Sequence, residues 1–130
     1  MYSELKVGLK TDIIHKVKLE ESAEAYGSGT VPVYATPALI ALMESTSKEC
    51  VASYLSKEDT TVGIEVNIKH LKATPIGMNV RCEAVLFQVK GKKLIFKVDA
   101  FDEEGKIGEG THTRYIVNSE EFIKKVYKNN

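Results

Sequence analysis

In the segment VYATPALIALME, Glu44 follows a run of mostly apolar residues. A carboxylate on a buried helix has to be neutral, paired or hydrogen-bonded, because an isolated buried charge is costly. The pattern alone favours a plainer reading, in which Glu44 marks where the helix surfaces, since the polar residues Ser45 to Glu49 follow it. His70 shifts the balance. In its strand Ile64, Val66, Ile68 and His70 share one parity, which turns the imidazole toward the apolar face. An inward histidine and an inward glutamate are natural partners, because a carboxylate beside an imidazole fixes its tautomer and sets its basicity.

Thr36 is the third candidate. As the expected N-cap of the helix it has an ordinary structural job, yet free amides and the positive end of the helix dipole gather there, which suits stabilisation of an oxyanion or a thioester carbonyl. Gly63, at the start of an apolar strand, marks a bulge or a turn exit, or lets a substrate lie against backbone N–H. His15 falls in a half-exposed strand and His112 shares the parity of Arg114; neither is assigned a catalytic role. Cys50 and Cys82 lie in unrelated segments without a CxxC pattern, so they read as buried thiols rather than a metal site or a disulfide.

The elements that must position these residues follow from local pattern. Residues 13–19 alternate as a first strand, and the Gly- and Ser-rich stretch from Glu20 to Val33 reads as a mobile loop lining the pocket. Thr36, with Pro37 at the first helical position, opens a helix running to about Tyr54, apolar on every side from Ala38 to Met43. Residues 61–72, 78–90, 92–102 and 106–117 each alternate with period two between turn signals, as consecutive antiparallel strands. Asn118, with Glu121 three residues on, predicts a short C-terminal helix. One strand, a long helix and four strands give an α+β class, the order of a curved sheet wrapped around a central helix, as in the hot-dog fold.

The 130 residues fit one domain, 1–130. Lysine plus arginine (18) equal aspartate plus glutamate (18), and no basic patch interleaves with aromatics, so a nucleic-acid partner is not expected. There is neither a signal-peptide run nor an apolar stretch long enough to span a membrane, which predicts a cytoplasmic protein without a membrane partner.

The stretches VYATPALIALME, VGIEVNIKHLKATPIGM and GEGTHTRYIV resemble the fluoroacetyl-CoA thioesterase group of hot-dog proteins, over about residues 6 to 126. The resemblance implies hydrolysis of a short acyl-CoA thioester, with Thr36, Glu44 and His70 matching the catalytic threonine, glutamate and histidine. Gly63 matches the glycine near the thioester carbonyl and Arg114 an arginine near the substrate. No cofactor is implied beyond the CoA carried by the substrate, and no metal. Members selective for fluoroacetyl-CoA carry two phenylalanines in the loop before the helix, where this chain has Gly27 and Thr30. Selectivity for fluoroacetyl-CoA is therefore not expected. Rival functions are a hot-dog hydratase or dehydratase acting on acyl thioesters, and an acyl-CoA-binding module without turnover.

Gly63 and His70 are about 23 Å apart on an unbroken strand at ~3.3 Å per residue, too far to serve one site from one chain. Antiparallel pairing of this strand with its two-fold mate, centred between Val66 and Asn67, would bring Gly63 opposite His70 of the partner subunit. The expectation is a homodimer with two composite sites at its interface.

Overall fold

The computed structural model describes residues 2–128. Five strands, β1 (Lys10–Lys16), β2 (Asp59–His70), β3 (Asn79–Lys90), β4 (Lys93–Asp102) and β5 (Gly105–Asn118), form one sheet in the order β1-β3-β4-β5-β2. All four pairings are antiparallel. The long helix α2 (Thr36–Ala52) lies across the sheet, and this is the hot-dog architecture. The strands are not one continuous meander. Tight turns join β3, β4 and β5, whereas residues 71–78 carry the chain from β2, on one edge, across to β3 near the other.

The loop before α2 is more ordered than its composition suggests. A 3-10 turn (Leu19–Glu21) leads into a one-turn helix, α1 (Ala23–Tyr26). Buried Ser22 caps it by accepting from the Ala25 amide at 3.0 Å, and Gly27 closes it in the left-handed region at φ 72°. Glycine and serine here terminate a helix at both ends; they do not loosen the segment.

α2 differs from its expected form in two ways. Its N-cap is Ala35, at φ −74° and ψ 142°, so Thr36 is the first helical residue and Pro37 the second. The Thr36 hydroxyl is thereby free of capping duty. The polar run after Glu44 is also not the surfacing of the helix, because Thr46 and Ser47 are fully buried. Their hydroxyls donate to the carbonyls of Leu42 at 2.7 Å and Met43 at 2.9 Å, one turn back, which satisfies them without leaving the core. The exposed side instead runs through Ala41 and Ser45, with Ile40 and Glu44 half-buried beside it.

Leu39, Met43 and Val51 of α2 pack with Val80, Leu86, Leu94, Phe96 and Ile107 of the sheet in a closed apolar core. Asp102 is a buried carboxylate on the sheet, with its side chain fully enclosed. It accepts from Lys72 Nζ at 2.8 and 2.9 Å, Thr74 Oγ1 at 2.9 Å and the Glu104 amide at 2.8 Å. These contacts pin the crossing segment after β2. The C-terminal helix α3 (Ser119–Val126) starts as expected, with Asn118 Oδ1 accepting from the Glu121 amide at 3.0 Å.

Candidate active site

β2 is not a regular strand. Its register against β5 shifts between Gly63 and Glu65, a bulge that leaves Ile64 unpaired and 55% exposed. The expected inward parity of Ile64 is therefore wrong, while that of Val66, Ile68 and His70 holds. These three lie opposite His112, Gly110 and Gly108. A Cβ on Gly108 would meet Leu39 and Met43 of α2 at 2.9 and 3.2 Å, which identifies this as the helix side of the sheet. Gly63, opposite Arg114, shares that side only because the bulge absorbs one residue. Seven residues apart on a regular strand, Gly63 and His70 would face opposite ways.

The candidate residues collect at two places in one chain. At the first, Thr36 Oγ1 lies 2.7 Å from His70 Nδ1. Around them is an open cleft of about 340 Å³ lined by Ala23, Ser28, Val33, Tyr34 and residues 71–73. Burial pushes the His70 imidazole below its ordinary value, partly opposed by the backbone of Lys72, so the ring is held neutral at neutral pH. A neutral Nδ1 that accepts the threonine proton leaves the hydrogen on Nε2, which is buried with no hydrogen-bond partner among the described residues.

The second place is two helical turns further along α2, about 12 Å away at 1.5 Å per residue. A Cβ on Gly63 would meet Glu44 Oε2 at 3.1 Å, His112 Cε1 at 3.2 Å and Arg114 NH1 at 3.3 Å, so three polar side chains converge on the space a side chain would fill. The adjoining cleft, about 360 Å³, is lined by Glu44, Ser45, Lys48, Thr61, Val62, Gly63 and Arg114. Arg114 is buried; its Nε donates to Thr61 Oγ1 at 2.7 Å and its NH2 to the Thr61 carbonyl at 2.8 Å. No ion pair joins it to Glu44 among the described residues.

One chain thus brings Thr36 to His70, and Glu44 to Gly63 and Arg114, but does not bring the two groups together. Glu44 makes no hydrogen bond to His70 among the described residues. His112, passed over in the sequence, sits in the second group. The signal that would have found it is its parity with Arg114 inside the Gly-Thr-His-x-Arg motif. His15 is remote from both, paired with Glu21 at 2.7 Å.

Residues 17–120 match the family model described as fluoroacetyl-CoA-specific thioesterase. The chain belongs to that family. Membership gives the class of enzyme, a thioester hydrolase. A fluoroacetyl-CoA thioesterase from Streptantibioticus cattleyicolor is 36% identical over 94 residues, 72% of this chain and 68% of that protein. Among solved structures, the fluoroacetyl-CoA thioesterase FlK superposes with a TM-score of 0.90 at 29% identity, over 97% of this chain and 98% of its own. A thioesterase superfamily member from Thermus thermophilus gives 0.86 at 25%, over 96% and 95%. The left-handed Gly27 that ends α1 is a poor place for any residue with a Cβ, and Thr30 is exposed.

Proposed function

We propose that the protein hydrolyses a short-chain or small acyl-CoA thioester to the free acid and CoA, without selectivity for fluoroacetyl-CoA. The observation that carries this reading is the 2.7 Å contact between Thr36 Oγ1 and a His70 imidazole kept neutral by burial. A neutral imidazole within hydrogen-bond reach of a hydroxyl is the arrangement that activates a nucleophile. Thr36 Oγ1 attacks the thioester carbon as its proton passes to His70 Nδ1. The C–S bond then breaks, and the proton leaves with the CoA thiolate as free thiol. Water, giving its proton to the same imidazole, attacks the acyl-threonine ester and releases the acid, returning the proton to Thr36. The Gly63 amide and Arg114 contact the thioester oxygen, and Glu44 orients His70.

This assignment needs both clusters in one site, and a homodimer supplies them. β2 is a twelve-residue edge strand with Ile64 and Val66 exposed, an edge that natural sheets normally cover. The bulge alters the expected register. Val66 and Asn67 face opposite sides of the sheet, so they cannot be direct neighbours across a continuous antiparallel pair. Centring the two-fold on Asn67 instead sets Val66 against Ile68 of the partner subunit and Glu65 against Lys69 of the partner subunit, an apolar and an oppositely charged pair. The extra residue of the bulge then carries Gly63 to His70 of the partner subunit. In this site Thr36 and His70 come from one chain, and Gly63, Glu44 and Arg114 from the other. The unpartnered His70 Nε2 supports a ring completed by a group from outside its own chain.

Thiol release from a panel of acyl-CoAs, with Thr36→Ala and His70→Ala alongside, tests the function. Turnover of small acyl-CoAs that falls by about 10²-fold or more in His70→Ala is expected from the loss of a general base. Saturable binding with no thiol release from any acyl-CoA would overturn it.

A further inference from the structure

His112 is a buried titratable side chain that the proposed chemistry does not use. Its ring lies between two partners whose chemistry is fixed. Nδ1 is 2.8 Å from the Glu65 carbonyl, which only accepts, and Nε2 is 3.2 Å from Arg114 NH1, which only donates. A single form of the ring satisfies both, the neutral imidazole with its hydrogen on Nδ1. With Thr61 holding Nε and NH2, the His112 lone pair is the third point that fixes the guanidinium plane. Fixed this way, NH1 comes within 3.3 Å of the position a Gly63 Cβ would take, facing Glu44 Oε2 across it.

We propose that His112 is a positioning residue, which aims Arg114 at the gap beside Gly63 and can do so only as the neutral Nδ1–H imidazole. The inference rests on reading Arg114 as a contact to the acyl-CoA thioester. The groups around the ring are Arg114 and Phe96 of the sheet, Gly63, Val66 and the Glu65 carbonyl of β2, and Glu44 of α2. The Glu65 carbonyl and, less strongly, Glu44 favour a charged ring. Protonation would remove the acceptor that Arg114 uses and set a second cation 3.2 Å from NH1. Burial, with Arg114 adding to it, holds His112 below its ordinary value, which keeps the acceptor in place at neutral pH.

The test uses the full chain and a non-hydrolysable thioether analogue of acetyl-CoA, with Kd from calorimetry. His112→Phe, which lacks the acceptor, and His112→Asn, too short to reach NH1, are each expected to weaken binding about tenfold, the loss of ~1.4 kcal/mol. His112→Gln places an oxygen near the Nε2 position and should recover binding to within about threefold. In an Arg114→Ala background, neither His112→Phe nor His112→Asn should weaken binding further, the signature of action through the arginine. Additive losses, or no rescue by glutamine in a folded variant, would overturn the proposal. Nitrogen-15 spectra of the ring give a readout independent of ligand: a hydrogen on Nδ1 is expected, and one on Nε2 overturns it. Tight analogue binding without thiol release would sink the hydrolase reading and leave this one standing.

Discussion

Thr36 Oγ1 and His70 Nδ1 lie 2.7 Å apart within a single chain, although 34 residues separate them in sequence. The contact exists because Ala35, not Thr36, caps α2, and because β2 ends beside the start of that helix. It makes the two residues a unit in any assembly. Mixing Thr36→Ala with His70→Ala chains should therefore restore no activity, since every site in the mixed dimer lacks one of the pair. Mixing His70→Ala with Gly63→Val chains should restore about a quarter of the wild-type rate, from the one intact site in each mixed dimer. Recovery in the first mixture would break the assignment of chains, and a monomer in sedimentation would break the dimer.

Gly63 is a test of close approach. A methyl group there would press on Glu44 Oε2, His112 Cε1 and Arg114 NH1 at 3.1 to 3.3 Å, and a branched side chain would fill the gap outright. Gly63→Ala should lower kcat/KM about tenfold and Gly63→Val about a hundredfold, a loss of ~1.4 and ~2.7 kcal/mol in transition-state stabilisation. Far-UV circular dichroism should be unchanged, because Gly63 does not need the left-handed backbone that only glycine adopts easily. Wild-type kcat/KM in a folded Gly63→Val would remove this surface from the site.

The sequence carried most of the architecture, because the signals were local. Alternation located β2 to β5 within two or three residues, and proline and asparagine located the starts of α2 and α3. What it could not carry was set at a distance. The β2 bulge depends on how β5 passes Gly63, and no periodicity within β2 records that. Thr46 and Ser47 looked like surface because their type was read without the carbonyls one turn back that satisfy them. Thr36 looked like a cap because threonine is a good one and Pro37 follows it; in the structure its hydroxyl instead meets His70, 34 residues away. The same long-range placement hid His112, whose neighbours Gly63 and Glu44 come from two other elements.

Both buried imidazoles impose a pH dependence with a definite sign. His70 and His112 are each depressed in the folded chain, mainly by burial. Their contribution to stability is full above the unfolded value of about 6.5 and is lost as pH falls through the lower folded values. Tm should therefore fall on acidification from about pH 7 to pH 5, and the fall should shrink in His112→Gln. The acid limb of kcat/KM should likewise sit below the ordinary histidine value, since the proposed mechanism uses His70 as a neutral base. An acid limb above about 6.5, or a Tm that rises on acidification through that window, would contradict burial of the neutral rings.

Asp102 offers a test of stability distant from the chemistry. Its buried carboxylate accepts from Lys72, Thr74 and the Glu104 amide, and all of its bonds hold the segment that follows His70 or the turn into β5. Burial pushes its pKa up, but the hydrogen bonds from Lys72, Glu104 and Thr74 together win and hold it below the ordinary carboxylate value, so the group is ionised at neutral pH. Removing one member of a buried pair costs about 3–5 kcal/mol, and the partly exposed Lys72 reduces that to about 2–3 for Asp102→Ala. Leu71, Lys72 and Ala73 also form one wall of the Thr36–His70 cleft, so the loss should reach the site as well. Urea unfolding should show a lower midpoint for Asp102→Ala, with Asp102→Asn between it and wild type. Equal stability of all three would mean that the segment after β2 is held by the Tyr34 amide to the Thr74 carbonyl, at 2.9 Å, without help from the carboxylate.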